Sequence, residues 1–388
     1  MKKSVFLIGS VVWTAIAAAA LIILVAALSG ANLTKNLPDW LRGGAASNAF
    51  GDNTTLKKEE RYNLSGIKEL GVDVRYQDIR IALIDGGDMV VRHYDIEQAE
   101  AFKPDNNGSR LNIKIPEVNF TFFNISNARL EIDLPRSYAD SVMLKSSSGD
   151  INLDGRAEWG EASIIASSGD VRLGEGLTCE NLSVGTSSGS ITLGNVDAGA
   201  IQISSASGSQ RLNELRALGD VSLKSSSGSI NCGDIAALNL KINNASGDLR
   251  IGDANAGGRV DITTSSGSHH AGNIRAASYN ISTASGALRY GGLSGAGSVS
   301  ASSGSINCDA LDVKGDVSLT STSGDQRLTL APDQSFDLNI TSASGTIRAS
   351  GFELYYSDRN GKNAFATVGG ENGGKLGIRS SSGSVSIN

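Results

Sequence analysis

Five arginines recur along the chain at a nearly constant interval: Arg172, Arg211, Arg250, Arg289 and Arg327. Each stands three residues after a Ser-Gly pair. At the same place in the intervening units stand Asn152, Thr192, Asn231, His270 and Asn307. A guanidinium is a planar fork of donors that matches a carboxylate or phosphate. A line of them on one face could grip a polyanion such as teichoic acid, lipid headgroups or an acidic polysaccharide. Aspartates directly after the glycine (Asp150, Asp170, Asp248 and Asp325) would dilute that field, and they read as turn caps or solvated carboxylates. The Gly-Gly-x-Gly-x-Asp pattern of a calcium-binding β-roll is absent.

The other reactive side chains point to less. His269 and His270 are neighbours, and adjacent strand residues face opposite ways, so the pair does not clamp one metal ion. Cys232 and Cys308 occupy a repeat position that is elsewhere Leu or Ile, which reads as a small buried apolar role. Three widely spaced cysteines make neither a disulfide framework nor a zinc pattern. The many serines lack a placed histidine, so none is a nucleophile candidate. The expectation is no catalytic, cofactor-binding or metal site.

The elements that must position the arginines are written in the repeat. Ser-Gly ends at Gly149, Gly169, Gly189, Gly208, Gly228, Gly247, Gly267, Gly286, Gly304, Gly324, Gly345 and Gly383. The spacing is 18 to 21 residues up to Gly345, and the last gap is 38. A fixed period near 20 marks a solenoid. Aliphatic residues sit seven and five positions before the glycine (Val142 and Leu144, Val221 and Leu223) and two and four after it (Ile151 and Leu153, Val171 and Leu173). Within each strand these positions share parity and therefore a face. Ser-Gly between them reads as a corner, where glycine permits the positive φ that a sharp arc often needs. One such unit is too small to hold its own core, so it stands only in a stack. If one unit is one coil, alternate arginines lie about 10 Å apart; two units per coil would bring them to about 5 Å. Repulsion between like charges favours the first arrangement.

Composition agrees with a narrow core. The 388 residues include 47 glycines and 5 prolines, and aromatics are only 5%. A net charge of −6 argues against nucleic-acid binding. At the start, Lys2 and Lys3 precede an uncharged run from Val5 to Leu28. As a helix this run is long enough to span a bilayer and longer than a secretory h-region. A retained single-pass anchor is expected, with a cleaved signal as the rival reading. Either way, the rest is expected outside the cytoplasm.

The chain divides into residues 1–29 (cytoplasmic start and transmembrane helix), 30–60 (flexible linker), 61–140 (an N-terminal β segment capping the solenoid), 141–350 (the Ser-Ser-Gly repeat) and 351–388 (an insertion and the last repeat or cap). The fold class is all-β: a single-stranded parallel β-helix, or β-solenoid, of about 20-residue coils behind one N-terminal transmembrane helix.

"LEIDLP" at Leu130–Pro135, the "SSSGDI"-like repeats from Ser146 and the closing "IRSSSGSVSI" together resemble the bacterial putative-adhesin family of β-strand-repeat domains of unknown function. The resemblance covers roughly residues 61–388. It implies a β-helix-like envelope module behind a membrane anchor and carries over no catalytic residue. The expected function is therefore a non-enzymatic surface module, adhesive or structural. Its expected partners are the membrane, through the N-terminal helix, and a cell-wall polymer, polysaccharide or another envelope protein. The rival functions are a polysaccharide-acting enzyme on a β-helix and an envelope-stress sensor working through a membrane partner.

Overall fold

A computed structural model describes residues 55–94, 104–115, 128–370 and 373–388. Everything described is strand, turn or bend, and no helix among these residues is long and apolar enough to cross a membrane. The expected N-terminal helix and most of the expected linker lie outside the described residues. The end of that linker is different: Leu56–Tyr62 is a strand, paired antiparallel with Met89–Tyr94.

The repeat winds as a parallel β-solenoid, one unit per coil. Val171 pairs with Ile191, Ile191 with Gln210, Gln210 with Ile230 and Ile230 with Leu249, each one unit further on. Some coils run as one long strand, such as Val171–Thr186 and Ile306–Ser323, and others carry three short strands rather than two. Within one coil these are Gln210–Leu212, Leu215–Ala217 and Asp220–Ser225. The first and third are the alternating runs visible in the sequence. The middle one contributes a single well-buried residue per coil, such as Leu177, Val196, Leu215 or Ile235. Inward side chains stack into continuous files. Leu144, Ile164, Val184, Ile203, Leu223 and Ile242 form one of them, all essentially inaccessible. Burying this apolar surface drives the stack, because no coil closes a core of its own.

The twelve Ser-Gly corners fall on one line. A Cβ on any of these glycines would lie closer than 3.0 Å to the backbone carbonyl of the coil below. For Gly189 that carbonyl belongs to Gly169, and for Gly208 to Gly189. Positive φ is confined to Gly247, Gly267, Gly286, Gly304 and Gly324, at 117–155°. Close backbone stacking, not handedness of the turn, is what all twelve share.

At most corners a buried polar residue three positions before the glycine fastens the turn from inside; Ala166 and Ala301 are the exceptions. Thr186 Oγ1 and Ser205 Oγ donate to the carbonyls of Gly189 and Gly208 at 2.7 and 2.8 Å. Ser225 Oγ donates to the Gly228 carbonyl at 2.8 Å and accepts the Gly228 N–H at 3.0 Å. In Asn244 the amide nitrogen takes over the donor role. These groups satisfy corner backbone that would otherwise be buried unpaired.

Both ends of the solenoid are interleaved. The strands Glu69–Val74 and Asp78–Ile84 follow Leu56–Tyr62 in the chain. They lie between the coil of Ser141–Asp154 and the strands Arg110–Lys114 and Arg129–Pro135. At the other end the last strands, Gly374–Ser380 and Val385–Ile387, sit on the coil of Ile306–Leu330. The earlier strands Phe336–Ser342 and Ile347–Ala349 lie outside them. The hairpin Tyr355–Tyr356 and Asn363–Val368 then pairs antiparallel with Phe336–Ser342. Antiparallel strands end the parallel stack on both sides, which limits strand edges open to another chain.

Candidate functional site

The outward position of the strand after each corner builds the arginine column. Its register runs Arg80, Asn152, Arg172, Thr192, Arg211, Asn231, Arg250, His270, Arg289, Asn307, Arg327, Ser386, Arg348. All five arginines expected from the sequence share this line. The interleaved coils extend it: Arg80 and Arg348 keep the alternation of arginine with a small polar residue or histidine. Arg80 escapes a reading of the repeat, because it follows Gln77 instead of a glycine; Arg348 does stand three residues after the Gly345 corner, but its neighbour in the stack is Ser386 and not Arg327. Arg348 belongs to a coil stacked out of chain order. With one coil every 4.8 Å or so, the guanidinium groups recur about every 10 Å.

The charges along the column are not equivalent. Arg172 lies between two carboxylates: its Nη1 donates to Asp150 at 2.8 Å and its Nη2 contacts Asp170. The bond to Asp150, joined by the attraction of Asp170 and Asp78, raises its pKa further. Arg250 and Arg327 reach Asp248 and Asp325 at 3.4 and 3.3 Å. Among the described residues, Arg211, Arg289 and Arg348 have no ion pair. Their coils carry Ser209, Ala287 and Thr346 where the others carry aspartate. The middle of the column therefore keeps uncompensated positive charge. A shallow depression of about 590 Å³ lies there, lined by Thr192, Arg211, Asn231 and Arg250 with the backbone of Gly233 and Gly252.

The aspartates beside the column have a structural task. Asp150 Oδ1 accepts the Asp170 N–H at 2.8 Å, and Asp170 Oδ1 accepts the Ser190 N–H at the same distance. Asp248 does this for Ser268, and Asp325 for Ser384. Each carboxylate caps an amide of a stacked coil, so these acids act at corners.

His269 and His270 face opposite ways. His270 stands in the column; His269 is buried, with Nε2 2.6 Å from Thr264 Oγ1 and Nδ1 3.4 Å from the Tyr290 hydroxyl. Burial pushes its pKa down to about 4. The three cysteines are free and buried, and burial pushes their thiols up to about 12 for Cys179 and Cys232 and about 11 for Cys308. No group of three or more metal-ligating side chains occurs among the described residues. The third histidine, His93, is also buried, and its Nε2 lies 3.3 Å from Glu60 Oε2. Only the pairing of Leu56–Tyr62 with Met89–Tyr94 brings them together.

Comparison with known proteins follows the same repeat. A family model described as Toastrack DUF4097 matches residues 67–219 and again 216–388. No protein of curated function matches the sequence. Among solved structures, similarity extends to a putative cell adhesion protein from Clostridium sporogenes at 9% identity. That match covers 86% of this chain and 99% of the other, with a TM-score of 0.18. It extends also to a putative adhesin from Bacteroides fragilis at 13% identity, covering 85% and 96%, with a TM-score of 0.22.

Proposed function

The chain belongs to the Toastrack DUF4097 family, and we propose that it is a non-enzymatic module of the cell envelope whose arginine face holds an acidic polymer. The 5–28 segment anchors it in the membrane as a single pass, and the solenoid stands outside the cytoplasm. One observation carries the reading: a single file of arginines, alternating with small polar residues or histidine, in which Arg211 and Arg289 have no acidic partner among the described residues. Short neighbours such as Thr192, Asn231 and Asn307 and the absence of an ion pair leave Arg211 and Arg289 open to a ligand lying along the file, and the coil spacing favours an extended chain with recurring charges over a compact anion. The partners are accordingly a cell-wall polymer or acidic polysaccharide.

Binding of inorganic polyphosphate to the purified full-length chain across a salt series tests this. The parent is expected to bind at low salt and to weaken as salt rises. The double variant Arg211→Gln, Arg289→Gln is expected to lose about tenfold in affinity while unfolding at the parent temperature. Absence of retention at low salt, or a double variant that binds like the parent, would remove the proposal.

A further inference from the structure

The irregular segment between the last two corners builds a second surface, on a different face from the arginine column. Asn363–Val368 runs antiparallel to Phe336–Ser342, which runs parallel to Gly374–Ser380. The register sets nine outward positions in a grid. Thr367, Asp337 and Lys375 form one row; Phe365, Asn339 and Gly377 the next; Asn363, Thr341 and Arg379 the third. On the far side of Phe365, Tyr355 stacks against it with ring centroids 5.8 Å apart and planes 26° from parallel. Both rings are about half exposed, at 54% and 49%. The hairpin that presents them is tied down: Lys362 Nζ donates to the Gly345 carbonyl at 2.6 Å and the Tyr356 hydroxyl to the Ile347 carbonyl at 3.5 Å.

Gly377 makes the grid concave. Unlike the corner glycines, it is not forced by its backbone. A Cβ there would meet only the Val317 carbonyl, at 3.9 Å, and its φ is not positive. Its missing side chain leaves room at the centre of a depression of about 540 Å³ that also borders the Phe365 ring. Lys375 and Arg379 stand on either side of it, and among the described residues neither has an ion pair. Asn339 and Thr341 add uncharged donors and acceptors. Asp337 already accepts from Thr367 Oγ1 at 3.0 Å.

We propose that this concave grid is a binding site for an acidic sugar residue: the Phe365 ring, backed by Tyr355, stacks on the ring's C–H face, and Lys375 and Arg379 take its carboxylate. Each part has its reason. Sugar C–H bonds carry partial positive charge and meet the negative face of an aromatic ring. Stacking alone would suit any ring, whereas two unpaired cations flanking the gap select one with a negative substituent. The polar neighbours match hydroxyl groups. The site is separate from the arginine column and does not depend on its role.

Binding of tetragalacturonate and of its neutral tetragalactose counterpart to the full-length chain tests the proposal, with polyphosphate as the probe of the arginine face. The parent is expected to bind the uronate more tightly than the neutral sugar. Phe365→Ala and Gly377→Val are each expected to weaken uronate binding about tenfold and to leave polyphosphate binding unchanged. Arg379→Gln is expected to remove the preference for the acid. All three alter outward side chains, and unchanged thermal unfolding confirms that the fold is kept. Three results would overturn the site: no uronate binding by the parent, parent-like binding by Phe365→Ala and Gly377→Val, or loss of uronate binding only in Arg211→Gln, Arg289→Gln.

Discussion

A Cβ at Gly208 would be driven into the carbonyl of Gly189, whereas one at Gly377 would meet open space. The same substitution therefore has different costs at the two places. Gly208→Ala must push two coils apart, and a loss of about 3 kcal/mol is expected in denaturant unfolding, against less than about 0.5 for Gly377→Ala. Equal effects would contradict the stacked-glycine account. His269 makes a second case. It occupies a file filled by Ile230, Leu249 and Leu288 in nearby coils, and Thr264 and Tyr290 are its polar contacts. Its folded pKa of about 4 lies below the unfolded value near 6.5. The unfolded chain therefore takes up the proton first, and stability present above pH 6.5 is lost as pH falls toward 4. His269→Leu is expected to remove about 2 kcal/mol of that loss, read from urea unfolding at pH 7 and pH 4.5. His93 is also depressed by burial and titrates in both proteins, so the difference isolates His269. A parent and a variant with the same pH slope would argue against a buried neutral imidazole.

At the scale of elements, the interleaved C-terminus makes a prediction of its own. Gly374–Asn388 supplies the coil between Ile306–Leu330 and Phe336–Ala349. Truncation at residue 373 is therefore expected to strip amide-exchange protection from Phe336–Ala349 and the hairpin. The repeat up to Leu330 should stay protected. Protection of Phe336–Ser342 that survived truncation would mean direct stacking in chain order. The sequence shows why this arrangement is hard to read. Regular corners and alternating strands make the solenoid and its 20-residue coil plain, and six of the seven column arginines stand three residues after a corner glycine. Interleaving leaves no local trace except the 38-residue gap before Gly383. The first coil hides because Gln77 fills the glycine place, its side-chain oxygen accepting the N–H groups of Arg75 and Tyr76. The middle side of the coil, a separate strand in Leu215–Ala217 and Ile235–Ala237, hides because one inward residue gives no alternation. Leu56–Tyr62 hides because "LKKEERY" is mostly charged. Phe365, Asn339 and Gly377 are far apart in sequence, and only a cross-strand register collects them.

For the molecule as a whole, every functional inference drawn from the column depends on one geometric fact: the 20-residue unit is a single turn, so the arginines stand in one file at alternate coils. Distance measurement between spin labels at Arg172→Cys and Arg327→Cys, with the three buried cysteines replaced by alanine, reads this directly. The two positions are eight coils apart in the register. At roughly 4.8 Å per coil the account predicts about 38 Å between their backbones, broadened by the label arms. A distance near 19 Å, as two units per turn would give, would contradict it.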